Sequence, residues 1–222
     1  MYRKMTIVIP IICGFLFASS IIEVSGNKTE FDINQVSPSI IHVNITTGDI
    51  ITFNKMTDEG EFTHLSLPGF HLSRNIGMPE LPEIHRLIEI PQNASPRVEI
   101  LSSSYRDYSL KDLNIESSIF PVQPSLSKSQ NPDNIPFEQN LAVYSKKSFL
   151  LKELVSINIK GQLRAIRIAN LNIRPVTYNP TEGILRVYTN LEVNIHMDDA
   201  DFTETKEIKK TYYSPYFEAI YN

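Results

Sequence analysis

Leu185-Arg186-Val187-Tyr188-Thr189-Asn190-Leu191-Glu192-Val193-Asn194-Ile195-His196-Met197 is the stretch that decides how this chain folds. Its odd-numbered positions are apolar apart from Thr189, and its even-numbered positions carry charge, amide, imidazole or phenol. Successive side chains of a strand point to opposite faces, so this alternation predicts a strand with one face in a core and the other in water. Thirteen residues at about 3.3 Å each would span about 43 Å, longer than one compact sheet needs, so a bend or a passage between sheets is expected near Thr189-Asn190.

Working outward, Asn179-Pro180-Thr181-Glu182-Gly183 supplies a turn directly upstream. Pro180 presets φ and Gly183 tolerates positive φ, which predicts a hairpin closing onto the Leu185 strand. Gln162 to Tyr178 reads as a strand pair or one long bent strand, interrupted where Pro175 removes a ladder donor. Shorter alternating runs predict strands at Ile40–Ile45, Asp49–Phe53, Phe62–Leu67, Ile84–Ile90 and Arg97–Ser104, with a turn at Thr46-Thr47-Gly48. No apolar run after the N-terminus has helical length. Short strands separated by turn signals predict an all-β protein, a single antiparallel β-sandwich.

The ends differ from this pattern. Arg3 and Lys4 precede an almost wholly apolar Ile7–Ile22, and polarity returns at Glu23. This predicts a secretory signal peptide over residues 1–26, cleaved after Ser20 (Ala18-Ser19-Ser20) or after Gly26 (Val24-Ser25-Gly26). The β-sandwich is then expected over 27–200, and 201–222 as a C-terminal linker. That last segment opens on acidic residues and closes on Tyr212, Tyr213, Tyr216, Phe217 and Tyr221. Cys13, the one cysteine, lies in the leader, so the exported part can form neither a disulfide nor a thiolate. A net charge of −4 spread along the chain offers no basic footprint for nucleic acid or an anionic membrane, and no membrane association is expected once the leader is gone.

The familiar catalytic constellations are missing from the exported part. It has no cysteine to pair with histidine, no glycine-flanked serine nucleophile, no phosphate loop and no dinucleotide fingerprint. The histidines, His42, His64, His71, His85 and His196, form no His-Glu-x-x-His pair. His64 and His71 are seven apart across Pro68-Gly69 and read as ordinary strand and loop residues. No catalytic residue, metal ligand or cofactor is assigned. Phe120–Pro136, with four prolines among Ser, Gln, Asn and Asp, predicts an exposed, partly stiffened loop.

Several segments taken in order are more specific. They are Gly77-Met78-Pro79-Glu80-Leu81-Pro82, the strand ending Ile90-Pro91, Val122-Gln123-Pro124-Ser125, and Ser127-Lys128-Ser129-Gln130-Asn131-Pro132-Asp133-Asn134-Ile135-Pro136-Phe137. Gly161-Gln162-Leu163-Arg164, Ile173-Arg174-Pro175-Val176-Thr177-Tyr178-Asn179-Pro180, Leu185–Tyr188 and Leu191–Val193 follow. From about Phe31 onward the chain resembles the N-terminal propeptide domain of gingipain-type cysteine peptidases of Bacteroidetes.

The resemblance implies a β-sandwich that assists folding of a secreted cysteine peptidase and docks over its active site. A basic loop residue then enters the specificity pocket. Lys128, flanked by Ser127 and Ser129, matches the inhibitory position. The implied partner is a gingipain-like catalytic domain, in cis in a longer precursor or in trans. The catalytic cysteine and histidine belong to that domain, so this chain is not expected to be an enzyme. Its expected location is secreted: across the inner membrane, then periplasmic, cell-surface or extracellular. The competing reading is a stand-alone, surface-associated β-sandwich that binds without inhibiting.

Overall fold

The computed structural model describes residues 19–26, 28–131, 135–150 and 153–212. Its longest strands are β8 (Ser95–Ser109) and β13 (Ile184–Asp198), which pair antiparallel along their whole length. On its other side β13 meets two strands in succession, β12 (Val176–Asn179) opposite Ile184–Val187 and β3 (Ile40–Thr46) opposite Asn190–His196. β2 (Glu30–Ser37) closes that edge against β3.

This large sheet is covered by two smaller ones, each over its own core. At one end lie β10 (Val155–Leu163), β11 (Ile166–Ile173), β7 (Pro82–Ile90) and β6 (His71–Leu72). Their inward residues Ile84, Ile88, Leu171 and Ile173 pack on Val43, Leu191, Val193 and Ile195. At the other end lie β1 (Ser19–Ile22), β4 (Ile50–Thr57), β5 (Gly60–Ser66) and β9 (Ser118–Ile119). Ile22, Ile50, Leu65 and Ile119 there pack on Tyr178, Leu185 and Val187. Apolar positions of β13 serve one core up to Val187 and the other from Leu191, so the expected passage between sheets falls at Thr189-Asn190. The β8 ladder slips between Tyr188 and Asn190, a bulge that re-aims the strand. Thr47 secures the place, donating its N–H to Thr189 O (2.9 Å) and its hydroxyl to Tyr188 O (2.6 Å).

The all-β antiparallel sandwich holds, with one short parallel pairing between β5 and β9. The hairpin at 179–183 forms as expected, with Gly183 at φ +62° and Asn179 Nδ2 donating to Glu182 Oε2 at 2.8 Å. Pro175 marks a corner: β11 ends at Ile173 in one sheet, and β12 starts at Val176 in the other. Gln162 and Leu163 belong to β10, which hairpins onto β11, so the strand pair starts earlier than the sequence suggested. The turn at Thr46–Gly48 joins no hairpin, because β3 and β4 lie in different sheets.

Both ends carry regular structure. Residues 19–26, around the two candidate leader cuts, are part of the fold: β1 pairs with β4, and Ile22 and Val24 enter a core. Within the expected linker, residues 202–211 are helical (α2, Phe202–Thr211). Asp201 caps α2 by accepting the N–H of Glu204 at 2.8 Å, and Lys209 and Lys210 complement the last turn. Tyr213, Tyr216, Phe217 and Tyr221 lie outside the described residues. No helix among the described residues is long and apolar enough to cross a membrane.

Candidate functional site

The proline-rich stretch starts inside the fold. Phe120, Pro121 and Val122 are buried, against the expectation for the whole of 120–136. They run between β5 and the Gly77–Glu80 segment. Phe120 N–H donates to Thr63 O (2.8 Å), Glu80 N–H to Phe120 O (2.9 Å), and Val122 N–H to Met78 O (2.8 Å). Gly77 N–H donates to Val122 O (2.8 Å) and Gly77 O accepts from Asn140 N–H (3.0 Å), so one glycine holds both limbs of the loop. Only glycine suits it: φ is +75°, and a Cβ would sit 3.2 Å from Asn140 N.

One step further out, Gln123 bridges the limbs. Its Nε2 donates to Glu138 O (2.8 Å) and its Oε1 accepts the Glu138 N–H (3.0 Å), which mimics a pair of sheet bonds. Behind it, Phe137 packs on Phe62 and Phe120 with ring centroids 5.3 and 6.0 Å apart. A single helical turn, α1 (Leu141–Tyr144), follows the outer limb and is capped by Asn140. The Tyr144 hydroxyl donates to Ile119 O at 2.7 Å, and burial holds its phenol far above the ordinary value, so it remains a donor.

From this stem the tip projects into solvent. Residues 125–131 are all exposed. Ser127–Gln130 forms a tight turn: Gln130 N–H donates to Ser127 O (3.1 Å), and Gln130 Oε1 accepts the Ser127 N–H (2.8 Å). Ser127 Oγ and Ser129 Oγ are 3.1 Å apart, leaving Lys128 at the apex between them. The structure therefore brings the three expected residues together in one exposed turn. Two apolar side chains flank the stem, Ile76 and Leu141, 56% and 69% exposed beside the Gly77–Asn140 hydrogen bond. Their placement is invisible in the sequence, because the Gly77–Asn140 contact leaves no periodic trace.

The histidines are spent locally. His64 lies between Phe53 and Phe120, at centroid distances of 5.1 and 4.3 Å, with Nδ1 2.9 Å from Glu80 Oε2. His85 Nδ1 is 2.5 Å from Asn172 Oδ1. Among the described residues no three His, Cys, Asp or Glu side chains converge on a point where a metal ion could sit.

A protein-family model described as Propeptide_C25 matches residues 34–214. The chain belongs to the Propeptide_C25 family. It is similar to Lys-gingipain of Porphyromonas gingivalis, with 37% identity over 165 residues, which is 74% of this chain and 10% of that protein. It is also similar to Gingipain R2 of the same organism, with 28% identity over 152 residues, 68% of this chain and 19% of that one. The match thus spans about a tenth to a fifth of the relatives' length. One solved structure concerns the zymogenic latency of gingipain K from P. gingivalis. It shares the fold at a TM-score of 0.77 and 31% identity, over 82% of this chain and all of that one. The complex of P. gingivalis RgpB pro- and mature domains matches at a TM-score of 0.66 and 22% identity over 82% and 95%, a likeness of fold. This propeptide domain therefore carries its loop on the same β scaffold as the prodomains of gingipain zymogens.

Proposed function

We propose that this propeptide is exported and keeps a gingipain-like cysteine peptidase latent by docking over its active site, with Lys128 in the specificity pocket, and that it performs no chemistry itself. The observation that carries the reading is the exposed Ser127–Gln130 turn with Lys128 at its apex, held by a stem whose two limbs are both bound to Gly77.

The energetics favour this division of labour. A lysine entering a narrow pocket that ends in a carboxylate exchanges its hydration for a charge-assisted contact, and the net gain is small unless the donor is already in place. The stem and the tight turn reduce the ordering cost on binding. Most of the affinity then comes from the surface around the loop, typically about 800 Å² per partner with a few central anchors. Ile76 and Leu141 are suited to that surface, being large, apolar and exposed beside the stem. Assistance in folding the catalytic domain follows from the same docking, since a partner that binds only the native form stabilises it.

The test is inhibition in trans. The purified chain is expected to slow hydrolysis of a lysine-containing peptide by a gingipain-type catalytic domain, and Lys128→Ala to weaken this by tenfold or more, about 1.4 kcal/mol. Thermal unfolding of the variant should be unchanged, because the side chain is exposed at a turn. Inhibition by Lys128→Ala equal to that of the parent would remove the lysine from the mechanism. Absence of inhibition by the parent would favour a binding module without inhibitory action.

A further inference from the structure

The N-terminal segment allows two export-cleavage positions by sequence, and the fold treats them very differently. We propose that the leader is removed directly after Ser20, so that the mature propeptide begins at Ile21 and keeps Ile22 and Val24 as core residues.

Ile22 is 1% exposed and Val24 7%, and both pack in the cluster that holds Ile50, Leu65, Leu185 and Val187. Ile21 and Ile22 stand opposite Ile51 and Ile50 in the antiparallel β1–β4 ladder. Beyond the strand the backbone wraps one carboxylate oxygen: Asp49 Oδ1 accepts the N–H groups of Val24 (2.8 Å), Ser25 (3.2 Å) and Gly26 (2.9 Å). Gly26 at φ +70° supplies the left-handed step that turns successive N–H groups toward a common point. The Tyr108 hydroxyl adds a bond to Glu23 O at 3.1 Å. Residues 21–26 are thus held by the β4 ladder with the neighbouring Asp49 carboxylate, by a core and by Tyr108.

Cleavage after Gly26 would delete two core side chains, open a cavity against Ile50 and Val187, and strip Asp49 of its three donors. Cleavage after Ser20 removes far less. Ser19 and Ser20 are exposed, and the ties lost are their ladder positions opposite Phe53 and Thr52 and the contacts of the Thr52 hydroxyl with Ser20 Oγ (2.6 Å) and Ser20 O (3.3 Å), with no core side chain among them. The new ammonium falls on Ile21, which is 61% exposed and stays hydrated. Ala18 and Ser20 also provide the small residues that a leader peptidase needs at its third and first positions before the cut.

The full-length chain, expressed in a Gram-negative host and recovered from its exported fraction, tests this by intact mass and N-terminal sequencing. The expected first residue is Ile21, and Ser20→Phe is expected to leave the leader attached in most of the product. A mature form that starts beyond Ile22, or an exported chain that is never cut, overturns the proposal. Independently, a chain starting at Asn27 should unfold at least about 5 °C below one starting at Ile21. Equal melting temperatures would show that the segment contributes nothing to the mature fold.

Discussion

At the scale of single residues, Asp49 and Lys128 do opposite things with charge. Lys128 is presented to solvent, whereas Asp49, only half-buried, is spent on backbone N–H groups of its own chain. The Asp49 carboxyl is held below its ordinary value of 3.8, chiefly by the N–H of Val24 and then by that of Gly26, against an opposing effect of desolvation and with a lesser contribution from the N–H of Ser25. A folded-state value below the unfolded one means that the carboxylate stabilises the native state in full above the unfolded value. That stabilisation is lost as pH falls through the folded value. The difference in melting temperature between the parent and Asp49→Asn should therefore be constant from about pH 8 to about pH 5 and narrow below 3.8. Thermal scans across that range check it. A gap that persists unchanged to about pH 3 would show that the charge does not hold the N-terminal segment.

Elements with one buried face were legible in the sequence, and those without one were not. β13 showed itself because a core takes every second side chain. β2 lies at an edge with little of either face buried, and the outer half of β10 is exposed on both faces, so neither carries a period-two pattern through its length. α2 was missed for the corresponding reason, since it buries no residue and has no apolar stripe. Its one sequence signal was the Asp201-Phe202-Thr203-Glu204 cap followed by Lys209 and Lys210, which also reads as a run of solvated charge. The loop of the candidate site was legible from its prolines, while its stem depends on pairing of Gly77 with Val122 and Asn140, segments far apart in the chain, and left no local trace. The helix invites a local prediction. Asp201→Ala should cost α2 about 0.5–2 kcal/mol and speed amide exchange over residues 204–211. The global melting temperature should stay where it is, because the helix buries no residue of its own and is held to Gln92, Asn93 and Glu89 by polar contacts. A matching fall in global stability would mean that α2 is packed more firmly than its exposure indicates.

For the whole molecule the question is whether two cores behave as one. Each has its own covering sheet, and what joins them is the large sheet, above all β13, with Phe70 packed against both. A strand shared along its length cannot easily lose one half, since unzipping Leu191–Met197 exposes the ladder that orients Leu185–Val187. The bulge at Thr189-Asn190, tied to Thr47, lies where β13 passes from one core to the other and is where the halves would part. We expect it to transmit rather than interrupt. Leu185→Ala and Leu191→Ala, one in each core, should each cost about 2–5 kcal/mol and lower a single unfolding midpoint. Amide exchange measured in β11 over one core and in β4 and β5 over the other should accelerate together in both variants. If Leu191→Ala loosened β11 and left β4 and β5 protected, the chain would be two units in series. The loop stem hangs from β5 through Thr63 and Phe120, so it would then keep presenting Lys128 while the far core opened. If the cores are coupled, damage in either reduces inhibition in proportion to the fraction unfolded. Inhibition by Leu191→Ala near its midpoint denaturant concentration therefore distinguishes the two cases at the level of function.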